Sequence, residues 1–377
     1  MKKIYYLGYY DTVDNKAEKR DICLAATNKM TYIVSALEKA GYEVELFSAS
    51  HTKDKKNKYP GKKVKIGKHS TLVLFKTLPW GNKIQKLLSV INSKLQLYKY
   101  VIKNIGKNDT LIVYHSAAYA KAVCNLKKLK KFKLVLELEE IYSDIEYAKS
   151  NSTTEYQVIN TADAYIFPTE LLNEKVNKEN KPYAIIYGTY NVEKDRNCKF
   201  DDKKIHIVYA GVFALDKGVL SAIKSAEYLD SNYHIHILGF GRPEDIEKVK
   251  ATVDEISKTS KCNITHEGTL TGEEYIKFIQ SCHVGLSPQN NKASFNETSF
   301  PSKVLSYLSN GLRVVSIRIK SIEKSSVSNL ISFYDEDSPL EIAHAIQSID
   351  FSAEYNSRVV VEELSNKFIK EIDEIVK

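Results

Sequence analysis

Two doubly wound α/β domains in succession are what this sequence predicts, on three observations. From Lys3 to Phe167, short runs of aliphatic, β-branched and aromatic residues alternate with segments whose apolar residues recur at helical spacing. The same alternation restarts at Ile205, after Glu193–Lys204, a charged stretch poor in apolar residues that reads as a linker. Glycines close key strands (Gly8, Gly211, Gly239), as they do in open parallel sheets, whose ligands gather beyond the carboxyl ends of the strands. A chain of 377 residues is long enough for each domain to bury a core of its own.

Composition excludes several classes. With 43% hydrophobic and 27% charged residues the chain is globular, not disordered. No run of eighteen apolar residues is present, so no membrane span is expected. The N-terminus, MKKIYYLGYYD, reads as a first strand and not as a signal peptide. Cys23, Cys124, Cys198, Cys262 and Cys282 are odd in number and scattered, without a C-x-x-C pair. Neither a disulfide framework nor a zinc site is expected, and a reducing cytoplasm fits. The net charge of +8 is concentrated: Lys53–Lys107 holds fifteen lysines against one acid, Asp54. That imbalance suits an anionic partner. No nucleic-acid recognition motif accompanies the lysines, so an anionic membrane surface is the expected partner.

In the first half, Lys3–Leu7 predicts a strand, followed by a polar loop in which Arg20 is either an exposed side chain or a phosphate contact. Met30, Ile33, Val34 and Leu37 place a helix over about 27–40, ended by Gly41, and Tyr42–Phe47 alternates as the next strand. The lysine-dense segment around Pro60 and Gly61 predicts a hairpin or loop, and Thr71–Phe75 a strand. Trp80 introduces a helix over about 83–105, with Ile84, Leu87, Leu88, Ile91, Leu95, Tyr98 and Ile102 at helical spacing. Such a stripe either packs on its own sheet or, with the flanking lysines, faces lipid headgroups. Thr110–Tyr114 and Phe132–Leu138 predict buried strands running into His115 and into Glu139-Glu140. All three side chains belong at the carboxyl end of the sheet, where a carboxylate or imidazole can orient or deprotonate a hydroxyl. The alternative is that the two acids start a helix and are stabilised by its dipole. Ala162–Thr169, a helix to Val176, and Tyr183–Tyr187 complete this half.

In the second half, Ile205–Tyr209 predicts a strand, Ala210-Gly211 its turn, and Asp216-Lys217-Gly218 the entry to a helix. His234–Leu238 predicts a buried strand followed by Gly239-Phe240-Gly241, which lacks the third glycine of a dinucleotide fingerprint. His234 and His236 lie two apart on that strand, but the sequence sets no third ligand beside them, and no metal is expected. Asn263–Glu267, a helix over 273–281, and His283–Ser287 follow. Phe295–Ser316 is the most informative stretch. It predicts a loop, a helix capped by Ser299 or Ser302 with Pro301 at its start, a stop at Gly311, and a buried strand at Val314, Val315 and Ile317. A helix N-terminus emerging from such a loop, with Lys303 beside it, is an anion site. Leu330–Tyr334 and helices over 340–349 and 354–376 end the chain.

The pattern Phe300-Pro301-Ser302-Lys303 with Tyr307-Leu308 and Gly311 resembles the nucleotide-sugar site of GT-B glycosyltransferases, especially the bacterial family-four and galactofuranosyltransferase-like branches. The resemblance implies two Rossmann-like doubly wound domains, 1–192 and 205–353, facing a central cleft, with the last helix (354–377) returning to the first domain. It implies a donor site at Gly211, Lys217, Gly218, Gly239, Glu267, Glu297, Ser302 and Lys303, with Lys217 and Lys303 on the diphosphate. Two positions depart from the family pattern: Val212 stands where an arginine is common, and Ser306 where a second glutamate is common. Glu297 is one residue out of register with the first glutamate. The implied activity is metal-independent transfer of a sugar from a nucleotide-diphosphate donor, UDP-linked, with no cofactor. The implied acceptor is a hydroxyl of a bacterial surface or capsular glycan, or of a lipid-linked one, approached by His115, Glu139 and Glu140. Two rival readings are an epimerase of the same fold and a non-catalytic partner subunit.

Overall fold

The computed structural model describes residues 1–12, 15–142, 152–214, 218–289 and 298–377, with backbone only for Lys16 and Ser152. It divides into two compact units, Met1–Thr189 with Asn366–Lys377, and Tyr190–Ser365.

The first unit is built on β1 (Lys3–Gly8), β2 (Glu43–Ser48), β3 (Lys62–Lys65), β4 (Ser70–Leu74), β5 (Thr110–Tyr114), β6 (Lys133–Glu137), β7 (Ala164–Phe167) and β8 (Tyr183–Ile185). Their order across the sheet is β3-β4-β2-β1-β5-β6-β7-β8. All pairings are parallel except β3 with β4. That antiparallel pair turns the lysine-dense segment into a hairpin, and lysines along edge strand β3 discourage further strand addition. The helices are α1 (Leu24–Lys39), α2 (Lys83–Asn104), α3 (Ala117–Lys130), α4 (Ser152–Thr161) and α5 (Glu170–Val176). On α1, Met30, Ile33, Val34 and Leu37 are all buried, which fixes that face on the sheet. A capping box between Asn82 and Gln85 starts α2 by satisfying amides that a helix N-terminus leaves open. Phe47, Phe75 and Tyr100 cluster beneath it, with ring centroids 4.5–6.1 Å apart.

The second unit carries β9 (Ile205–Val212), β10 (Tyr233–Phe240), β11 (Asn263–Gly268), β12 (Val284–Ser287), β13 (Arg313–Ile317) and β14 (Ile331–Tyr334). The sheet order is β11-β10-β9-β12-β13-β14, all parallel. Counted from β9 this is 3-2-1-4-5-6, the doubly wound order whose switch point lies between its first and fourth strands. The helices are α6 (Val219–Lys224), α7 (Pro243–Ile256), α8 (Gly272–Ser281), α9 (Ser302–Ser309), α10 (Lys320–Glu323), α11 (Pro339–Gln347) and α12 (Ser357–Val376). The charged segment after Thr189 packs on this unit: the Glu193 amide donates to Ser309 O at 3.0 Å, and Arg196 Nε pairs with Glu273 at 3.1 Å.

The last helix is divided between the units, its residues from Asn366 belonging with the first. There Phe368, Ile372 and Val376 are buried, Tyr42 donates to Asp373 at 2.7 Å, and Lys2 Nζ meets the Val376 and Lys377 carbonyls at 3.2 and 3.1 Å. An ammonium at a helix C-terminus offsets the partial negative charge there.

Candidate active site

In the second unit three of the expected donor residues, Gly211, Gly239 and Lys303, come together at the carboxyl ends of β9 and β10. Gly211 and Gly239 stand opposite each other at the ends of β9 and β10. A Cβ on Gly239 would overlap the Gly211 carbonyl, so only glycine lets these two backbones approach. Lys303 lies directly over Gly211: a Cβ there would meet Lys303 Cε at 2.5 Å and Nζ at 3.0 Å. The ammonium rests on the face of Tyr209, 3.6 Å from the ring centroid, a cation–π contact that aims it along the strand end. Gly218 precedes α6 with φ of +74°, and a Cβ there would overlap the Pro288 carbonyl after β12.

Tyr307 sets the position of α9. It is buried, accepts from the Ala210 amide at 2.9 Å and donates to Leu286 O at 3.3 Å, tying the helix to β9 and β12. Gly285 leaves room for its ring, since a Cβ there would overlap it. One expectation is corrected. The N-cap position of α9 is Pro301, not Ser299 or Ser302, and Ser302 is the exposed first residue of the helix. Proline has no polar side chain with which to cap the helix, and the Val304 amide donates back to the Pro301 carbonyl at 3.1 Å. Ser306 hydrogen-bonds Tyr275.

Glu267 is drawn elsewhere. Its carboxylate accepts from His236 Nδ1 at 2.7 Å and from Thr265, and these bonds hold its pKa below the usual range. Lys217 and Glu297 lie outside the described residues. His234 and His236 do have a third histidine beside them, against the expectation: parallel pairing sets His206 opposite His234.

In the first unit the strand ends after β5 and β6 carry His115, Glu139 and Glu140, the residues expected on the acceptor side. Glu139 forms a two-pronged ion pair with Lys29 of α1, at 2.7 and 2.8 Å. Glu140 is half-buried, and burial followed by the charges of Glu139 and Glu155 raises its pKa. His115 is not the near-neutral base that its residue type suggested. It is 1% exposed, stacked on Tyr142 at 4.7 Å and 3.5 Å from Glu155, and burial lowers its pKa to about 4. An imidazole that holds a proton this weakly is a poor base at neutral pH.

That shift sets a pH dependence. The unfolded histidine has a pKa near 6.5, so on acidification the unfolded chain takes up the proton first. The contribution of His115 to stability is therefore full above pH 6.5 and drains between pH 6.5 and about 4, by about 3 kcal/mol in all. Urea midpoints measured across that window should fall more steeply in the wild type than in His115→Gln. Parallel slopes would refute the assignment.

Sequence reasoning missed Glu137, whose position inside β6 reads as plain strand. It is fully buried, accepts from Tyr6, and is pushed well up in pKa by burial and then by Glu139. Arg20 is also resolved. Its side chain is buried and donates to Glu18 at 2.7 Å, Phe75 O at 2.9 Å and Ser50 O at 3.2 Å, so the guanidinium is committed to the fold and not to a phosphate. Nearby, Tyr9, Ala49, His51, Ser93, Lys94 and Tyr119 help line a cavity of about 130 Å³ beside α2.

No protein-family model and no curated protein matches the chain. Solved structures do. An Escherichia coli trehalose-6-phosphate protein bound with UDP-2-fluoro glucose superposes with a TM-score of 0.63 at 11% identity, over 99% of this chain and 97% of that one. A UDP-forming α,α-trehalose-phosphate synthase from Burkholderia xenovorans, in complex with glucose-6-phosphate, gives 0.62 at 10% identity over 98% and 97%. The lipopolysaccharide outer core galactosyltransferase WaaB gives 0.63 at 13% identity over 99% of each chain. The chain thus has the GT-B fold of these glycosyltransferases across nearly its whole length.

Proposed function

We propose that the chain is a glycosyltransferase that moves a sugar from a nucleotide-diphosphate donor to a hydroxyl of a glycan or lipid-linked acceptor. The observation that carries this reading is Lys303 laid over Gly211 at the sheet's switch point, beside the first turn of α9. A departing nucleoside diphosphate gathers negative charge on its oxygens, and an ammonium with aligned amides supplies the compensation. Lys217 would add a second ammonium from the loop before Gly218. These groups do the work often given to a divalent ion, so the transfer is proposed to need none. UDP is the favoured carrier because two of the structural neighbours are described with UDP-sugar or as UDP-forming. The galactosyltransferase neighbour makes a bacterial surface glycan the favoured acceptor. Glu139, oriented by Lys29, and Glu140 are the groups proposed to meet the acceptor hydroxyl. Glu140, its pKa raised, is the better proton carrier of the two.

The test is a panel of UDP- and GDP-sugars, scored for nucleotide release with and without acceptor. Transfer or hydrolysis that added magnesium or manganese leaves unchanged supports the reading. Epimer formation would replace it with the epimerase, and silence together with absent nucleotide binding would replace it with a partner subunit.

The helix α2 supports a membrane-peripheral site of action. Only Ser89, Leu97 and Val101 of it are buried, while Ile84, Leu87 and Leu95 are 70, 61 and 64% exposed. Among the described residues no helix is long and apolar enough to cross a membrane. An exposed apolar row edged by Lys83, Lys86, Lys94 and Lys99 matches an anionic lipid surface, each lysine adding about 1 kcal/mol. Binding to anionic vesicles should fall steeply with salt. Leu87→Ser and Leu95→Ser should each weaken it by about 1.5–3 kcal/mol. Binding that ignores both salt and these changes would remove α2 from the lipid.

A further inference from the structure

The second unit contains a histidine cluster at the end of its sheet remote from the donor site. His206 on β9 and His234 and His236 on β10 share one face, and each offers a ring nitrogen within 4.8 Å of the other two. His206 and His236 are each 2% exposed, and Phe200 lies over both rings at 3.9 and 5.0 Å. We propose that these three imidazoles form a binding site for a divalent transition metal, zinc in the first instance.

The outer nitrogens carry the argument. His206 Nε2 lies 2.7 Å from Asp202 Oδ1, His236 Nδ1 lies 2.7 Å from Glu267 Oε1, and His234 Nε2 lies 3.0 Å from Thr265 Oγ1. An N–H bond to a carboxylate on the far nitrogen is how metal-ligating histidines are held in one tautomer and made better donors. With both outer protons committed, His206 Nδ1 and His236 Nε2 present lone pairs to one another across 2.9 Å. Two facing lone pairs need a cation between them. A proton serves at this separation, and a tetrahedral zinc at about 2.0–2.1 Å from each nitrogen asks the rings to part by only about half an ångström. His234 completes three protein ligands and leaves the fourth position to water. Soft or borderline divalent ions suit three imidazoles, whereas magnesium and calcium, which prefer all-oxygen sites, do not.

The site is distinct from the transfer chemistry. Five residue steps along β9 take the chain from His206 to Gly211, about 16 Å along an extended strand. The ion would instead tie β9 and β10 to the segment carrying Phe200 and Asp202. Because the ligands are assembled only in the folded chain, binding adds to its stability.

The experiment uses the full, tag-free chain, stripped with a chelator and then dialysed against zinc. One zinc per chain retained, with a raised thermal midpoint, and a four-coordinate absorption spectrum when cobalt replaces it, are the expected results. His236→Gln should abolish retention. Asp202→Asn changes only an exposed carboxylate behind the ligands and should weaken zinc affinity by about 10–100-fold while leaving the metal-free thermal midpoint in place. No retained zinc in the wild type would overturn the site, as would equal affinity in wild type and both variants.

Discussion

With Lys217 and Lys303 both replaced by alanine, donor turnover is expected to drop by about 3–5 kcal/mol of transition-state stabilisation, and by about 1.5–3 kcal/mol for each alone. The expectation follows from where charge develops. As the sugar–phosphate bond breaks, the bridging oxygen turns into a phosphate oxyanion, and an interaction stronger in that state than in the bound donor lowers the barrier. Lys303 is prepared for this by Tyr209, whose ring face holds its Nζ at 3.6 Å, and by Gly211, whose missing side chain lets the lysine stem lie on the backbone. Steady-state kinetics with the donor found by the panel would measure it. Gly211→Ala provides a second check, because its Cβ would displace the end of Lys303. It should lower kcat and, because φ at Gly211 is +157°, a value that L side chains rarely adopt, lower stability as well, so kinetics and unfolding are read together. Unchanged kinetics in Lys303→Ala would remove the lysine from the site whatever the reaction proves to be.

What could be read without coordinates was whatever a residue's own neighbours determine. The strand runs at Lys3–Leu7 and Thr110–Tyr114 and the buried face of α1 follow from periodicity, because burial on a sheet repeats at the spacing of the element itself. Helix α3 escaped because only Val123 and Leu126 of its buried face are strongly apolar aliphatics, the rest being Tyr119, Ala120, Ala122 and Cys124, which leaves little contrast with the lysines around it. Helix α7 did carry a signal, with Pro243 in its first turn, acids after it, and Val249, Val253 and Ile256 at helical spacing. The candidate site was half legible. Local pattern marked Lys303 and Gly211 separately, but nothing local says that residues 92 positions apart lie one on the other. The histidines fail for the same reason, since only the register of β9 against β10 sets His206 beside His234. Residue type also misled where burial overrides it. An isolated histidine titrates near neutrality, yet His115 is held to about 4 by its surroundings.

Arg20→Met should cost about 3–5 kcal/mol of folding stability, the range for breaking a buried ion pair by removing one partner. The guanidinium is fully enclosed and spends its donors on Glu18, Phe75 O and Ser50 O, while Asp11, itself 2% exposed, lies 4.0 Å away. Methionine fills most of the volume but offers no donor. The Phe75 and Ser50 carbonyls would then lose a charged partner, and Glu18 would keep only Lys62, at 2.6 Å, to balance its charge. The loop after β1 is pinned through the same group, since Arg20 pairs with Thr52 and Thr52 Oγ1 donates to Glu18 O at 2.6 Å. Arg20→Lys should fall between the two, keeping the charge but not the planar fork that reaches three acceptors at once. Urea unfolding of the three proteins decides the matter. If Arg20→Met folds within about 1 kcal/mol of wild type, a range typical of exposed pairs, yet loses donor turnover, the arginine serves a phosphate after all and the buried network is not what holds the loop.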